Sequence, residues 1–254
     1  KEAVSAFFLF SHIYYQEGQM SGGGNMRVKI GHLVIWAEII LLAVLGIRVK
    51  SLPKEEKVIE VNQLTDEAVE KKKVALTFDD GPNSKYTPML LKGLKERGIH
   101  ATFFLLGKNI RGKEALVKRM QEEGHLIGNH TYNHMELNKI SMEDAKEEIE
   151  AVNREIYELT GVYPAWLRPP YGEWQKNLDF YVNMFPVFWD VDTLDWKSKN
   201  AESVLQIVKA EVKDGAVILM HDAYQSSVDA ALQIADFLLA EGYEFVTVDE
   251  LILP

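Results

Sequence analysis

The alternation of short apolar runs with longer helical patterns is the feature that most constrains the fold of this chain. The helical patterns carry capping residues at their starts (Thr87, Ser141, Asn200) and glycines at their ends. The apolar runs predict strands at Lys73–Leu76, Ala101–Leu105, His125–Gly128, Trp166–Arg168, Val187–Asp190, Ala216–Met220 and Tyr243–Val248. Strands that are apolar throughout are typical of a parallel sheet covered on both faces. We therefore predict an α/β fold, a distorted TIM-like (β/α) barrel with parallel strands.

The N-terminal part of the chain has a different character. Ile30–Ile47 is the one long apolar run, and its 18 residues just span the hydrocarbon core of a membrane. We predict a signal-anchor, a transmembrane helix at residues 26–50, because basic residues precede the run and no clear cleavage site follows it. A hydrophobic helix packed on the domain is the alternative, because the run is at the short limit and contains Glu38.

The segments on either side of this run complete the predicted organisation. Met26 follows a glycine-rich stretch, so we expect translation to start there and residues 1–25 to be a non-native or disordered leader. Residues 51–72 are polar and charged, which predicts a linker. Residues 73–254 are then expected to form the main folded domain.

Charge and cysteine content exclude several functions. The formal net charge is −10, which argues against nucleic acid or an anionic lipid surface as a partner and favours an uncharged substrate. The chain has no cysteine, so thiol catalysis, disulfides and cysteine–zinc sites are all excluded.

Two adjacent carboxylates follow the first predicted strand. Asp79 and Asp80 lie in the stretch Thr-Phe-Asp-Asp-Gly-Pro, where a buried strand ends and the chain must turn. Charge at such a place is costly unless a metal, a cation or a proton compensates it. An ordinary turn is the alternative interpretation of this stretch.

Two histidines supply possible partners for these carboxylates. His130 and His134 are four residues apart, so one helical turn would put both imidazoles on the same side. With one carboxylate they would make a three-ligand metal site that leaves positions open for water and substrate. The other carboxylate would then be free to accept a proton from water. A solvated helix face is the alternative for the histidine pair.

Further polar groups follow the later strands. Arg168 could hold the free carboxylate ionised and oriented, and it could equally be a structural ion pair. His221 could act as a general acid, with Asp195 or Asp222 raising its pKa. A buried neutral histidine is the alternative for His221.

The five motifs that contain these residues resemble a known family when they are taken together. TFDDGP, HTYNH, RPPYG, DTLDW and LMHD occur in the order and spacing of the polysaccharide deacetylases, the NodB homology domains of carbohydrate esterase family four. The resemblance runs from about Val74 to Pro254, and it is strongest to the bacterial peptidoglycan N-acetylglucosamine deacetylases.

The resemblance implies roles for ten residues. It implies that the metal ligands are Asp80, His130 and His134, and that Asp79 is the catalytic base, paired with Arg168. It implies that the backbone N–H of Tyr171 donates to the oxyanion, and that His221 is the general acid with Asp195 as its charge partner. It also implies that Trp196 and Leu219 form the wall of a pocket for the acetyl methyl group. Ordinary core packing is the alternative for Trp196 and Leu219. Asp222 would lie behind the site.

The expected activity is metal-dependent removal of N-acetyl groups from N-acetylglucosamine residues of a cell-wall polysaccharide. One divalent ion is expected, with zinc favoured and cobalt, manganese or nickel left open. The expected partners are an acetylated glycan polymer (peptidoglycan or a chitin-like chain) and the membrane, through the N-terminal helix, with no nucleic acid. The resemblance thus implies a cell-membrane protein whose catalytic domain is extracellular.

Three other functions are the alternatives to this activity. A chitooligosaccharide or other exopolysaccharide deacetylase is the nearest variant. A catalytically silent carbohydrate-binding module would be expected to lose the base or a metal ligand, yet all of these residues are present. A metallopeptidase would require a His-Glu-x-x-His helix, which the sequence lacks.

Overall fold

The computed structural model describes residues 71–253, except residues 176 and 179–181. The predicted leader (1–25), the predicted transmembrane helix (26–50) and all but the end of the predicted linker (51–72) lie outside the described residues. Within the part that is described, no helix is long and apolar enough to cross a membrane.

Strands and helices alternate along the described residues. The strands are β1 (Lys73–Asp79), β2 (Thr102–Leu105), β3 (Leu126–Asn129), β4 (Trp166–Leu167), β5 (Phe185–Pro186), β6 (Val191–Asp192), β7 (Ala216–His221) and β8 (Glu244–Phe245). The helices are α1 (Tyr86–Glu96), α2 (Gly107–Ile110), α3 (Glu114–Glu122), α4 (Met142–Thr160), α5 (Asp195–Ser198), α6 (Ala201–Glu211), α7 (Gln225–Ala240) and α8 (Val248–Ile252). Single 3₁₀ turns lie at Leu137–Lys139 and Pro170–Gly172.

All eight strands belong to one parallel sheet. Its order is β5-β4-β3-β2-β1-β7-β6, and β8 pairs with the start of β1. The long strands β1 and β7 pair with each other and are buried along almost their whole length. Phe78 of β1 stacks on Phe103 of β2 with ring centroids 5.2 Å apart, inside the main apolar core. The parallel α/β sheet predicted from the apolar runs is confirmed.

The sheet is a half-barrel, consistent with a distorted TIM barrel, and it is open between β5 and β6. Among the described residues, no ladder of hydrogen bonds joins these two strands. Residues 187–190 alone connect them, and a link of this length reaches at most roughly 17 Å. The two edges of the sheet must therefore curl toward each other.

The predicted strand at Val187–Asp190 is wrong, because these residues cross the opening. The N–H of Val187 donates to the carbonyl of Leu167 in β4 (2.7 Å), whereas the N–H of Asp190 donates to the carbonyl of Val217 in β7 (2.9 Å). A segment that bonds first to β4 and then to β7 cannot form a ladder with either strand. The two short strands β5 and β6 flank it instead.

The start of α1 also differs from the prediction of a cap at Thr87. The helix begins at Tyr86, two residues before the start that a cap at Thr87 implies, because the side-chain oxygen of Asn83 accepts from the N–H groups of Lys85 (2.9 Å) and Tyr86 (3.0 Å). The hydroxyl of Thr87 accepts from the N–H of Asn83 (2.7 Å) and donates to Asp222. Thr87 therefore links the loop that follows β1 to the loop that follows β7.

Helix α4 follows the sequence signals at both ends. The hydroxyl of Ser141 accepts from the N–H of Asp144 (3.1 Å), and Gly161 ends the helix with a φ of 72°. Glycine adopts this left-handed conformation without the steric cost that a Cβ brings.

Replacing Ser141 with alanine should lower the free energy of unfolding by about 1 kcal/mol, because the N–H of Asp144 would lose its acceptor. Urea denaturation of the purified protein measures the change. Ser141→Asp is the matched control, since aspartate also caps helices and should unfold near the wild-type midpoint. A wild-type midpoint for Ser141→Ala would contradict the cap.

Candidate active site

The register of β1 and β7 places two titratable side chains next to each other. Asp79 ends β1 and lies opposite His221, which ends β7. The carboxyl ends of parallel strands meet at one rim of the sheet, so the loops that follow them converge there. All ten residues given a role from the sequence lie at this rim. Eight line one cleft, and Arg168 and Asp195 are buried behind it, in contact with Asp79 and His221.

Asp80, His130 and His134 form a cluster of three potential metal ligands. The Oδ1 atom of Asp80 lies 3.6 Å from the Nε2 atom of His130 and 3.6 Å from the Nε2 atom of His134. One ligand atom from each residue lies within 4.8 Å of the others. Two imidazole nitrogens and one carboxylate oxygen are a donor set that suits zinc, and nickel, cobalt and manganese also accept it.

The cluster fits a divalent cation on three physical grounds. The Oδ1 atom of Asp80 is buried and accepts no hydrogen bond from any described residue, which is costly unless a cation meets it. The ligands of a tetrahedral zinc, at about 2.1 Å from the metal, lie roughly 3.4 Å apart, close to the separations found here. Burial lowers the pKa of His134, and the nearby His130 lowers it further, which favours the neutral imidazole that metals bind.

A backbone carbonyl sets the tautomer of His130. The Nδ1 atom of His130 lies 2.6 Å from the carbonyl oxygen of Arg168, and a carbonyl can only accept. Nδ1 therefore carries the proton, and the lone pair of Nε2 faces Asp80. A fixed outer hydrogen bond of this kind orients a metal-binding histidine.

The two histidines converge by a different route from the predicted helical turn. No helix spans residues 130–134, and Thr131 and His134 both have a φ of 66°, in the left-handed region. The side chain of Asn129 holds this loop: its Oδ1 accepts from the N–H of Thr131 (2.7 Å), and its Nδ2 donates to Asn153 Oδ1 (2.7 Å) and to the carbonyl of Ile149 (2.8 Å). A buried polar network, anchored on α4, therefore replaces the regular helix.

Arg168 pairs with Asp79 in the interior of the half-barrel. Its Nη1 atom donates to Asp79 Oδ1 (2.9 Å) and to the hydroxyl of Thr77 (2.6 Å), and no part of the side chain is exposed. Its guanidinium group also lies over the ring of Phe104, 4.4 Å from the centroid. The ion pair orients the carboxylate of Asp79.

Asp195 and His221 form a second buried couple. The Nδ1 atom of His221 lies 2.8 Å from Asp195 Oδ1, so the ring nitrogen Nε2 is left for the cleft. Burial lowers the pKa of His221, but the hydrogen bond and charge of Asp195 outweigh it, and with smaller contributions from Asp79 and Asp80 they raise the pKa to about 9. The imidazole is therefore protonated at neutral pH and can give a proton.

Asp222 lies beneath the turn that carries the two motif carboxylates. A methyl group at Gly81 would come within 2.9 Å of Asp222 Oδ2, so only glycine fits there without a shift. Burial raises the pKa of Asp222 to about 6 against the hydrogen bond from Thr87, which lowers it. Asp222 thus supports the turn and does not line the cleft.

The cleft has a volume of about 480 Å³, within the usual range for small-molecule sites. Tyr171, which is 65% exposed with a φ of 60°, and Trp196, 48% exposed, flank it. Leu219 is only 6% exposed but lies on the cleft wall. Ordinary core packing is therefore wrong for Trp196, whereas Leu219 serves both the core and the cleft.

Several residues of the site had no role assigned from the sequence. Three further residues line the cleft: Trp189, Asp192 and Tyr224. Each lies at the carboxyl end of a strand or within three residues after it. This position near a strand end is the sequence feature that could have identified them as cleft residues. The buried hydroxyls of Thr77 and Ser227 bond to Arg168 and Asp195, respectively. Thr77 opens the TFDDGP motif, whereas Ser227 lies outside all five motifs.

Known proteins resemble this chain in sequence and in structure. A family profile described as polysaccharide deacetylase matches residues 66–186. The peptidoglycan-N-acetylglucosamine deacetylase PgdA of Listeria monocytogenes is 40% identical over 200 residues, which cover 79% of this chain and 42% of that protein. The peptidoglycan-N-acetylglucosamine deacetylase of Bacillus cereus is 41% identical, covering 70% of this chain and 67% of the relative. This chain therefore spans about two fifths of the length of the Listeria protein.

A solved structure shows the same fold. The peptidoglycan deacetylase PdaC from Bacillus subtilis has a TM-score of 0.70 and 39% sequence identity, and the match covers 72% of this chain and 91% of that one. The similarity is well above the level at which only the fold is shared.

Removal of one ligand of the cluster should abolish tight binding of zinc. We expect His134→Ala to weaken zinc affinity by at least about 100-fold, since two remaining ligands hold the ion poorly. Competition with a chromophoric chelator measures the affinity without any substrate. His100→Ala is the matched control, because His100 is exposed and lies outside the cluster. Equal affinities in the two variants would exclude the cluster as the zinc site.

Proposed function

Because the chain belongs to the polysaccharide deacetylase family, we propose that its polysaccharide N-deacetylase domain removes N-acetyl groups from N-acetylglucosamine residues of peptidoglycan and releases acetate. One observation carries the proposal. A three-ligand cluster, an arginine-paired carboxylate and a histidine–aspartate couple all face a single cleft. Hydrolysis of an amide needs a nucleophile, a base, a stabilised oxyanion and an acid, and these groups can supply each of them.

The printed names of the relatives support peptidoglycan as the polymer. The relatives from Listeria monocytogenes and Bacillus cereus are both named for N-acetylglucosamine in peptidoglycan. A chitooligosaccharide or another acetylated exopolysaccharide is the alternative substrate, because the acetamido group to be cleaved is the same. A silent carbohydrate-binding module would have no need of a base, an acid and three ligands in one cleft.

A divalent metal is part of the proposed mechanism. Asp80, His130 and His134 would hold it, and when bound it would polarise the acetyl carbonyl and acidify water. Zinc is favoured by the two imidazole nitrogens, and cobalt, manganese and nickel fit the same donor set.

The residues of the chain then divide the proton transfers. Asp79, oriented by its ion pair with Arg168, takes a proton from the water that attacks the acetyl carbon. The backbone N–H of Tyr171 donates to the oxyanion that forms on the carbonyl oxygen. The C–N bond breaks as His221 gives its proton to the departing nitrogen, and Asp195 stabilises the imidazolium before that transfer. Acetate and a free amine are the products.

The apolar wall of the cleft fits the acetyl group. Trp196 and Leu219 lie near His221 on the cleft surface, and a methyl group there would be removed from water. We propose that this wall selects N-acetyl over larger N-acyl groups. Tyr171 and Trp189, on the same surface, offer aromatic faces to the sugar ring.

We also propose that the apolar segment at residues 30–47 anchors the chain in the cell membrane and that the domain acts outside the cell. The length of the apolar run and the location of peptidoglycan outside the membrane support this arrangement. Fractionation of cells followed by protease treatment of intact protoplasts tests it, and a protease-resistant domain would contradict it.

The proposed activity can be tested with defined glycans. The chain should release acetate from peptidoglycan fragments and from chitotetraose, and mass spectrometry should locate each deacetylated sugar. A chelator should stop release and added zinc or cobalt should restore it. Activity that persists after complete removal of metal would contradict the proposed mechanism.

Replacing Asp79 should separate the base from the metal site. We expect Asp79→Asn to lower kcat by about 100- to 10,000-fold, the usual contribution of a general base, and to leave zinc affinity near that of the wild type. Asp80→Asn is the contrasting variant, because it should lose both activity and zinc. Near-wild-type turnover by Asp79→Asn would refute its assignment as the base.

The pair of His221 and Asp195 predicts how the activity falls at alkaline pH. His221 must be protonated to act, so activity should be present below its pKa and fall as the pH rises through about 9. Asp195→Asn removes the charge that raises this pKa, so this alkaline limb of the pH profile should move to lower pH and kcat should fall. The pH dependence of kcat on chitotetraose measures both effects, and an unmoved limb would contradict the couple.

A further inference from the structure

The carboxylate of Asp195 is held by hydrogen bonds from three different elements. Its Oδ1 accepts from the N–H of Trp196 (2.9 Å) and faces His221 Nδ1 (2.8 Å). Its Oδ2 accepts from the N–H of His221 (2.9 Å) and from the hydroxyl of Ser227 (2.6 Å). Asp195 is itself 1% exposed, so these bonds replace the water that an ionised carboxylate would otherwise bind.

Among the described residues, Ser227 is the one side chain besides His221 that hydrogen-bonds to the carboxylate of Asp195. It lies in the first turn of α7, is fully buried, and reaches a partner 32 residues earlier in the chain. An ionised carboxylate only accepts, so the hydroxyl donates, and 2.6 Å is the length of a charge-assisted bond. Serine in the first turn of a helix commonly bonds its own backbone, whereas this hydroxyl is directed at Asp195.

We propose that Ser227 is a positioning residue of the deacetylation reaction, which holds Asp195 so that one oxygen faces the proton-bearing nitrogen of His221. This inference rests on the proposed role of His221 as the acid. The backbone N–H groups of Trp196 and His221 bond to one oxygen of Asp195 each, and the hydroxyl of Ser227 adds a second donor to Oδ2 from α7. Without the hydroxyl the carboxylate is still bonded to His221, but it is held less firmly and carries more charge.

The hydroxyl has a second effect, which gives a signature. A donor on Oδ2 withdraws charge from Asp195 and so weakens the attraction between the carboxylate and the imidazolium. The charged groups that interact with His221 are Asp195, Asp79, Asp80 and the adjacent Asp222, and of these only Asp195 receives the bond from Ser227. Loss of the hydroxyl should therefore raise the pKa of His221 and lower kcat together. Loss of Asp195 itself should lower both.

The test compares four variants of the full chain loaded with zinc. Ser227→Ala removes the hydroxyl, Ser227→Cys keeps the shape with a weak donor, Ser227→Thr keeps the hydroxyl, and Ser226→Ala changes the partly buried neighbour. We expect Ser227→Ala and Ser227→Cys to lower kcat on chitotetraose by about tenfold with KM within twofold of wild type. Ser227→Thr and Ser226→Ala should stay within about twofold of wild type in kcat.

Titration of the His221 ring by NMR provides a readout that needs no turnover. With labelled histidine, and with His221→Gln to assign the resonance, the midpoint should rise by about half a pH unit in Ser227→Ala and Ser227→Cys. A lowered melting temperature with an unchanged kcat and an unchanged midpoint would show a merely structural serine and overturn the proposal. A Ser227-dependent midpoint in a chain that releases no acetate would overturn the proposed function and leave the hydrogen-bond coupling established.

Discussion

The rest of this structure depends on the hydrogen bonds and the ion pair that the fully buried side chain of Arg168 makes. Removing a guanidinium group from water costs several kcal/mol, and the cost is offset only if charge and hydrogen bonds meet the group on all sides. Asp79 and Thr77 of β1 meet it on one side, and the carbonyls of Val187 and Phe188 accept from its Nε (3.4 Å) and Nη2 (3.2 Å) on another. Residues 187 and 188 belong to the segment that crosses the open side of the half-barrel. The side chain of Arg168 therefore connects β1 to this segment.

The same constraint explains how two neighbouring carboxylates come to have different surroundings. Asp79 still belongs to the strand, so its side chain is directed inward to the guanidinium group. Asp80 has a φ of 70°, which turns the chain at once and brings its carboxylate to the two imidazoles. A left-handed conformation at a residue other than glycine costs of order 1 kcal/mol, and such strain is concentrated at functional sites.

Much of this arrangement could be predicted from the sequence because it depends on local signals. Apolar runs located the long strands β1 and β7, and the polar residues directly after the strands located the rim. What failed depended on distant contacts. The spacing of His130 and His134 predicts a helical turn, but the network from Asn129 to α4 imposes a loop. Thr87 has the sequence signature of a cap, but its hydroxyl bonds to Asp222. A lone hydroxyl such as that of Ser227 gives no pattern, since its partner lies on another element.

The hydrogen bond between His130 and the backbone of Arg168 has a consequence for how the site tolerates motion. The carbonyl of Arg168 holds a ligand of the cluster through a 2.6 Å bond, while the side chain of the same residue holds the proposed base. The metal ligand His130 and the proposed base Asp79 are thus both held by a single residue, which directly follows β4. If thermal motion displaces that residue, the imidazole and the carboxylate are carried along together, and their separation changes less than either position does. The spacing of this metal ligand and the proposed base therefore does not require a closed barrel.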